Sequence, residues 1–415
     1  RSVTTSEPRE AYVWIWLPGA TDPVVAGLLE AQSNGIVTFT YGRSYLNRSD
    51  AIALYLPELP LRPGRIEPLP GLSLPSAIRD AGPDSWGQRV ILARRTGHLT
   101  RHSDTGDLGP LTYLLESGSN RIGALDFQSR PDVYVHRGGE ATLDQLVSAA
   151  QALDAGEALP EELGEALVRG TSIGGARPKA LISDGTRHLV AKFSSASDTY
   201  PVVKAEALGM LLARAAGVRV PNVDVTRSLG RDVLLVERFD RTTMAGERRQ
   251  MVSVLTILGL DEMMGRYATY TDVADVVRAR YSDPAGTLAE LFRRIAVNIC
   301  IGNTDDHARN HAAFWDGHTL ALTPAYDLCP QPRSGREANQ AMAFGPNGQR
   351  AARLTLLLES APTYLLSQRA ARNILDEVVN GIRNSYRDCA DQARLTTEEA
   401  SRLMGRQILN PYAIE

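Results

Sequence analysis

Hydrophobic residues recur with two different periods, and the change between them divides the chain into a strand-rich first part and a helical second part. Residues 11–17 and 36–41 are short runs rich in β-branched and aromatic side chains, which predict strands. Residues 288–299 instead place apolar side chains at i, i+3, i+4 and i+7, the spacing of one helix face. From about residue 250 onward the helical period predominates.

The middle of the chain alternates short strands with one amphipathic helix. A glycine-bearing loop at 171–178 leads into a strand, and Asp184-Gly185 predicts a hairpin turn before the next strand at 188–193. The other predicted elements are helices at 84–97, 143–153, 160–168 and 203–216, strands at 223–225 and 233–239, and a hairpin within 312–322.

Composition and charge narrow the class of protein. Of the 415 residues, 43% are hydrophobic and 22% are charged, which is typical of a globular protein. The net charge of -3 lacks the basic excess of a simple nucleic-acid binder, so contact with DNA would need a local patch or a partner. The basic stretch at 89–101 is one candidate patch, although a solvated helix face explains it better.

Cysteine use and the lack of long apolar runs indicate the compartment. Cys300, Cys329 and Cys389 are widely spaced, which argues against a disulfide framework or a zinc site and predicts packed, reduced thiols. No run of eighteen apolar residues predicts a membrane span, and residues 1–10 lack the apolar core of a signal peptide. We therefore expect a cytoplasmic protein with no membrane partner.

The segment from Ser172 to Lys179 has the residues needed to hold phosphate groups. Its adjacent glycines, Gly174 and Gly175, let backbone amides approach phosphate oxygens, and Lys179 could add a positive charge. The segment is not a Walker loop, because GxxxxGK[ST] is absent. An ordinary glycine turn between a helix and a strand is the alternative for this segment taken alone.

A lysine on a strand and a turn-like strand end extend this pattern. Lys192 lies in Leu189-Val-Ala-Lys-Phe193, which resembles the kinase strand whose lysine reaches the α- and β-phosphates. Glu206 on the following helix could pair with it. The segment 237–241 follows a strand and matches a hinge whose backbone binds adenine. Solvated surface residues and a plain strand end remain the alternatives.

The sharpest signal is a pair of polar residues followed by a hairpin and a further aspartate. Asp305 and Asn310 stand five residues apart, the interval between the base and the magnesium-binding asparagine of kinase catalytic loops. Asp327 follows seventeen residues later, where kinases carry their main metal-binding aspartate, and its oxygens suit Mg²⁺. The alternative is a metal-dependent hydrolase that uses Asp305, Asp306, His307 and His311 as ligands.

These segments together resemble the HipA family of bacterial toxin kinases over nearly the whole chain. The segments that carry the resemblance are Ser172–Lys179, Val236–Arg241, Asn303–Asn310 and Leu322–Asp327, with Ala81–Gly87 and Arg121–Leu125 in the N-terminal region. The resemblance implies an α+β, bilobal protein-kinase-like fold with a small β-rich lobe and a large all-helical lobe. It also implies an N-terminal subdomain at 1–135, the rest of the N-lobe at 136–240 and a kinase lobe at 241–415.

The resemblance assigns roles to single residues. Asp305 would be the general base, with His307 and Arg309 supporting the catalytic loop, while Asn310 and Asp327 would hold Mg²⁺. Ser172 would be the autophosphorylated serine, whose phosphate should expel the glycine loop. The residues implied to contact ATP are Gly174, Gly175, Ala176, Arg177, Lys179, Lys192, Glu237, Phe239, Asn310, Tyr326 and Asp327.

Three departures from the family pattern affect these assignments. Arg309 stands where lysine is common, which keeps the charge but changes its geometry. Asp306 stands where glycine is often found and places a second carboxylate beside the base. Arg177-Pro178 differs from the usual loop sequence, so the phosphate contacts there are open.

The resemblance also implies partners. The expected substrate is a translation protein, with an aminoacyl-tRNA synthetase of the glutamyl type as the family precedent. A HipB-like helix-turn-helix antitoxin would hold the protein on operator DNA as a co-repressor. The alternatives are a mainly DNA-bound co-repressor with weak kinase activity and a kinase for a small molecule.

Overall fold

The computed structural model describes residues 7–96, 104–138, 141–157, 177–183, 187–195 and 198–415, together with 164, 167 and 185. The strands in this part are β1 (Glu10–Ile15), β2 (Val24–Ala31), β3 (Val37–Tyr41), β4 (Arg65–Ile66), β5 (Leu125–Gln128), β6 (Lys179–Ser183), β7 (His188–Phe193), β8 (Val223–Ser228), β9 (Arg231–Glu237), β10 (Met251–Ser253), β11 (Ala312–Trp315) and β12 (Leu320–Leu322).

The helices in the same residues run from one end of the chain to the other. They are α1 (Arg43–Leu46), α2 (Ser76–Arg79), α3 (Ser85–Thr96), α4 (Pro110–Glu116), α5 (Leu143–Ala155), α6 (Val202–Ala215), α7 (Val254–Ile257), α8 (Tyr270–Arg280), α9 (Pro284–Ile301), α10 (Leu354–Glu359), α11 (Gln368–Gln392), α12 (Thr397–Leu403) and α13 (Pro411–Ile414). These bounds confirm the predicted helices at 84–97, 143–153 and 203–216. The one predicted at 160–168 lies almost wholly outside the described residues.

The first sheet is antiparallel and has the order β4-β3-β2-β1-β5. The pairing of β1 with the edge strand β5 places Val13 opposite Phe127, and both side chains are fully buried. Alternate residues of a strand face opposite sides of the sheet, so such pairs form one half of the core.

The second sheet, with the order β6-β7-β9-β8, positions the candidate lysine. In β7, Ala191 and Phe193 face a buried cluster that includes residues of α3 and α5. Lys192 alternates with them and therefore faces the opposite side, where α6 lies. Because β6 and β7 pair antiparallel, Lys179 is the direct neighbour of Lys192 across the strands.

The C-terminal part is built around α9, whose ends are set by its sequence. Asp283 caps the first turn by accepting a hydrogen bond from the Gly286 amide at 3.0 Å, and Pro284 occupies the first helical position. Gly302 ends the helix with a φ of 71°, a left-handed conformation that suits glycine. The apolar face predicted from 288–299 is buried along α9, which confirms that prediction.

The expectation of an all-helical C-terminal lobe is wrong in one respect. Strands β10, β11 and β12 form a three-stranded sheet, in which the predicted hairpin within 312–322 is joined by residues 251–253. This third strand was missed because it has only three residues, too few to show a period. The predicted boundaries at 135/136 and 240/241 stay predictions.

All three cysteines are buried and unpaired, as expected. Within the described part of the chain, no helix combines the length and apolar character needed to cross a bilayer.

Candidate active site

The loop that follows α9 is held by a buried hydrogen-bond network. A Cβ atom at Gly302 would lie 2.6 Å from the carbonyl oxygen of Gln407, so the chain can turn closely only with glycine here. Asn303 then donates to Asn298 Oδ1 at 3.0 Å, which fixes the start of the loop to the last turns of α9. The loop from 303 to 310 therefore begins from a rigid support.

Asp306 is the anchor of this loop. Its carboxylate is buried and accepts hydrogen bonds from Asn298 Nδ2 at 2.7 Å, from His311 Nε2 at 2.8 Å and from the Tyr270 hydroxyl. A carboxylate engaged by three buried donors is a structural group. The sequence left its role open between tuning the site and ligating a metal.

The hydrolase alternative finds no support in this arrangement. His311 uses its Nε2 atom in the network with Asp306 and Tyr270. Among the residues that the structure describes, no three His, Cys, Asp or Glu side chains gather as a metal site of that kind.

Asp305 differs from its neighbour Asp306 because it is exposed. Partial loss of hydration raises its pKa above the ordinary aspartate value, and the charge of Asp327 raises it further, while His307 lowers it. Asn310 Nδ2 donates to the Asp305 backbone carbonyl at 3.2 Å, which turns the asparagine side-chain oxygen away from the loop. The predicted base, Asp305, and a potential oxygen ligand, Asn310, thus lie on one short segment.

Lys192 lies between two carboxylates. Its Nζ atom is 2.5 Å from Glu206 Oε1 and 2.6 Å from Asp327 Oδ1. Burial alone would lower the pKa of this lysine, but the charges of Asp327 and Glu206 outweigh burial and raise it. The lysine is therefore a permanent cation, and the pairing with Glu206, left open by the sequence, is present.

Asp327 is held in an unusual backbone conformation next to this lysine. Its φ of 61° lies in the left-handed region, which non-glycine residues seldom adopt and which is often associated with functional sites. The Lys192 ammonium lowers the pKa of Asp327 to about 2, so the carboxylate is ionised at neutral pH. Burial, in contrast, raises the pKa of Glu206.

A glycine in the middle of α6 allows these groups to meet. A Cβ atom at Gly209 would lie 2.1 Å from the carbonyl oxygen of Leu328, the residue after Asp327. The helix can therefore approach the backbone at Asp327 and Leu328 closely only where a side chain is absent. This residue was missed by sequence reasoning, although a glycine inside a helical pattern is a signal of close packing.

Tyr326, in the segment Leu322–Asp327, contacts the loop from 303 to 310. Its hydroxyl donates to the Arg309 carbonyl at 2.7 Å, and its ring lies 5.9 Å from the ring of Phe239. The ring centre of Phe239 also lies 6.1 Å from that of Phe314 in β11. The half-buried Phe239 ring is therefore positioned by aromatic neighbours just beyond the end of β9.

The remaining predicted residues have definite partners. Glu237 accepts from Asn222 Nδ2 at 2.7 Å, Arg177 pairs with Asp198, and Arg309 pairs with Glu262. The Nδ1 atom of His307 is buried without a hydrogen-bond partner in the described part of the chain. These placements leave the predicted nucleotide contacts of Glu237 and Arg177 as predictions.

Lys179 is more enclosed than the sequence suggested. It is 2% exposed, and its Nζ atom lies 3.0 Å from Asp84 Oδ2 in the segment Ala81–Gly87. Burial lowers the pKa of Lys179 and raises that of Asp84. Its role as a phosphate contact stays a prediction. Ser172, Gly174, Gly175 and Ala176 lie outside the described residues.

The donor set of the cleft fits a magnesium–nucleotide complex. Asp327 offers an ionised carboxylate and Asn310 an amide, both hard oxygen donors of the type that Mg²⁺ prefers. Lys192 offers a fixed positive charge beside them. A strand lysine, a helix glutamate, a catalytic loop and a metal segment, in this order, define the class of kinase-like proteins.

Comparison with known proteins identifies the family within this class. Residues 171–386 match the HipA-like C-terminal domain and residues 17–128 match the HipA N-terminal domain. Since the first match alone spans more than half of the chain, the protein belongs to the HipA family. The resemblance inferred from the sequence motifs is thereby confirmed.

Two relatives illustrate the extent of the similarity. The serine/threonine-protein kinase toxin HipA of Shewanella oneidensis is 29% identical over 141 residues, which cover 30% of this chain and 33% of that protein. The alignment thus spans about a third of this curated relative. A solved structure of HipA with HipB and its operator DNA, from Shewanella oneidensis MR-1, matches with a TM-score of 0.65 at 18% identity over 95% of both chains. At this identity the match shows the shared fold.

Proposed function

We propose that this protein is an ATP- and Mg²⁺-dependent serine/threonine protein kinase that acts in the cytoplasm as a growth-inhibiting toxin. The observation that carries the proposal is Lys192, held 2.5 Å from Glu206 and 2.6 Å from Asp327. A lysine with a helix glutamate and a metal-segment aspartate is the arrangement that positions nucleotide phosphates in kinases.

Each residue of the cleft has a role in this mechanism. Lys192 would hold the nucleotide phosphates, and Asp327 with Asn310 would hold Mg²⁺, which would neutralise charge on the transferred phosphoryl group. Asp305 accepts the proton of the substrate hydroxyl, and its raised pKa makes the carboxylate a better base than an ordinary aspartate. His307 and Arg309 keep the loop in place. Phe239, Tyr326 and Glu237 line the adenine end.

The glycine loop regulates this site in our proposal. Residues 174–179 would contact the phosphates, and Ser172 would be the autophosphorylated serine. A phosphate on Ser172 adds up to about two negative charges beside the nucleotide, which repels it and silences the enzyme.

The proposed substrate is an aminoacyl-tRNA synthetase of the glutamyl type, whose phosphorylation would stop charging and slow growth. The proposed partners are a HipB-like antitoxin and, through it, operator DNA. Family membership supports the antitoxin and the operator DNA as partners, since one structural neighbour is HipA in a complex with HipB and operator DNA. A DNA-bound co-repressor with weak kinase activity and a small-molecule kinase are the alternative functions.

Incubation of dephosphorylated protein with Mg²⁺ and γ-labelled ATP tests the proposal, with phosphosites mapped by mass spectrometry. We expect label on Ser172 in the wild type and none in Asp305→Ala. Asp376→Asn is the matched control, because Asp376 is exposed on α11 far along the chain from the loop. Glutamyl-tRNA synthetase added to the same reaction tests the substrate.

Two results would contradict it. Equal labelling of the wild type and Asp305→Ala would remove Asp305 as the base. The absence of both label and ATP hydrolysis, from folded and unphosphorylated protein, would contradict an active kinase and favour the co-repressor.

A further inference from the structure

A cavity of about 300 Å³ lies where the first sheet meets the turn that follows β9. Trp16 and Asn120 line it from the N-terminal region, His188 from the start of β7, and Arg241 and Arg248 from the turn. We call it the junction cavity. None of the side chains assigned above to phosphoryl transfer lines it, so it is separate from the catalytic cleft.

Positive charge is in excess among the buried side chains that line the junction cavity and those directly behind them. Arg238 and Arg241 share one carboxylate, that of Asp240, at 2.7 and 2.8 Å. Arg248 is 7% exposed, donates to the Ser119 carbonyl at 2.8 Å and stacks 3.5 Å above the Trp16 ring. Neither of these two neighbours of Arg248, a carbonyl oxygen and an aromatic ring, carries a full negative charge.

A second group of buried residues nearby also has more arginines than carboxylates. Arg121 and Arg137 share the carboxylate of Asp126, at 2.7 and 2.8 Å. In this part of the described structure, four guanidinium groups thus share two buried carboxylates, and Arg248 adds a fifth positive charge. A third carboxylate, Glu247, lines the cavity and accepts a hydrogen bond from the Thr242 hydroxyl at 2.5 Å. Even with Glu247 included, positive charge exceeds negative charge.

Such an excess is costly in a folded protein unless an anion compensates for it. Removing a charged side chain from water is repaid only by a partner charge with good hydrogen-bond geometry. Burial, followed by repulsion from Arg238, lowers the pKa of Arg241 well below its ordinary value. Backbone carbonyls accept some of the guanidinium hydrogen bonds, but they supply no negative charge.

Two histidines complete the lining with neutral donors. Burial and then the Arg248 charge lower the pKa of His136, and burial and then the Arg238 charge lower that of His188. At neutral pH both imidazoles are therefore uncharged, and each can donate one N–H to a bound oxygen. Arginine forks with such donors form the usual environment of a bound phosphate or carboxylate.

We propose that the junction cavity binds a small oxyanion ligand, a metabolite that carries a phosphate or carboxylate group. Arg248 and Arg241 supply the charge, and His188 and His136 supply donors at the mouth. The cavity volume suits a compact metabolite. The ligand would join the N-terminal region to the turn after β9. This proposal does not depend on kinase activity.

Isothermal titration calorimetry on the full chain tests this site with inorganic phosphate and, separately, with citrate, at constant ionic strength. The Lys192→Met background removes phosphate binding in the catalytic cleft. We expect saturable binding of at least one ion that is at least tenfold weaker in Arg248→Met. The matched control is Arg293→Met, which loses a partly buried arginine paired with Glu377 at 2.6 Å on a different face.

Thermal unfolding of each variant verifies its folding, and His188→Ala at the exposed mouth provides a second test if Arg248→Met does not fold. Tighter binding of phosphate than of citrate would identify a phosphate-bearing ligand, and the reverse a carboxylate. The absence of saturable heat with both ions would overturn the proposal. Equal affinity in the wild type, Arg248→Met and His188→Ala would also overturn it.

Discussion

Replacement of Asp306 by alanine should destabilise the protein far more than the same change at its neighbour Asp305. Asp306 is 2% exposed and accepts hydrogen bonds from Asn298, His311 and Tyr270. Asp305, in contrast, is exposed, and its raised pKa indicates that the surroundings disfavour its charge. One aspartate therefore holds the loop, and the other faces the cleft.

The magnitude follows from the donors that Asp306→Ala leaves behind. A buried donor that loses its acceptor costs roughly 1–3 kcal/mol, and three donors lose Asp306, although the Tyr270 hydroxyl and His311 Nε2, 2.9 Å apart, can still pair with each other. Water entry and relaxation of the loop reduce the total, so we expect a loss of about 3–5 kcal/mol, the range seen when one partner of a buried charged network is removed. For Asp305→Ala we expect a change within about 0.5 kcal/mol.

Differential scanning calorimetry and urea unfolding measure both changes, with Asp376→Ala as the surface control. A chain of this size need not unfold in one step, so the transition that contains the C-terminal lobe is compared between variants. Labelled ATP provides the second readout, in which Asp305→Ala should lose activity while it keeps its stability. A loss below about 1 kcal/mol in Asp306→Ala would refute the reasoning, because the loss of a buried acceptor shared by Asn298, His311 and Tyr270 should cost more than that.

Three further predictions concern the cleft. Lys192→Met should lower phosphoryl transfer at least a hundredfold in the labelled-ATP assay, while Glu206→Gln should lower it less, because the lysine charge remains; equal losses would contradict this order. The wild type should lose thermal stability more steeply than Lys192→Met as pH falls from about 4 toward 2. Lys192 lowers the pKa of Asp327 to about 2, so the stability from this pair is complete above the ordinary aspartate pKa and is lost as pH falls toward the lowered one. Parallel curves for the two proteins would contradict this prediction. Gly209→Ala should weaken ATP binding at least tenfold in a titration, because the new Cβ would lie 2.1 Å from the Leu328 carbonyl, whereas Gly335→Ala, in open space, should have no effect.

The sequence predicted the elements of the cleft well because each has a local signal. The strand with Lys192, the helix with Glu206 and the hairpin before Asp327 follow from short periodic patterns. The interval from Asp305 to Asn310 led to the prediction of a catalytic loop, which stays a prediction. Such features depend on neighbours in the sequence, and the chain alone specifies them.

Contacts between distant segments could not be predicted in the same way. The partners of Asp306 come from α8, α9 and the end of the loop, and no spacing rule connects Tyr270 with Asp306. Lys179 was expected at the phosphates, but its buried contact with Asp84 joins residues 95 positions apart. Burial is set by the packing of whole elements, so a single lysine on a strand carries no information about it.

The segment between α2 and α3 joins the N-terminal region to two later parts of the chain. Asp80 accepts from the Ser253 backbone amide at 2.6 Å and from its hydroxyl at 2.9 Å, at the start of α7. Four residues later, Asp84 contacts Lys179 of β6 at 3.0 Å. Burial raises the pKa of both carboxylates, so each is tolerated because its partner is in place. One partner, Lys179, belongs to the second sheet, and the other, Ser253, belongs to the C-terminal part. This short segment therefore fixes the position of the second sheet relative to the C-terminal part. A displacement of the N-terminal region would therefore also move Lys192 relative to Asp305.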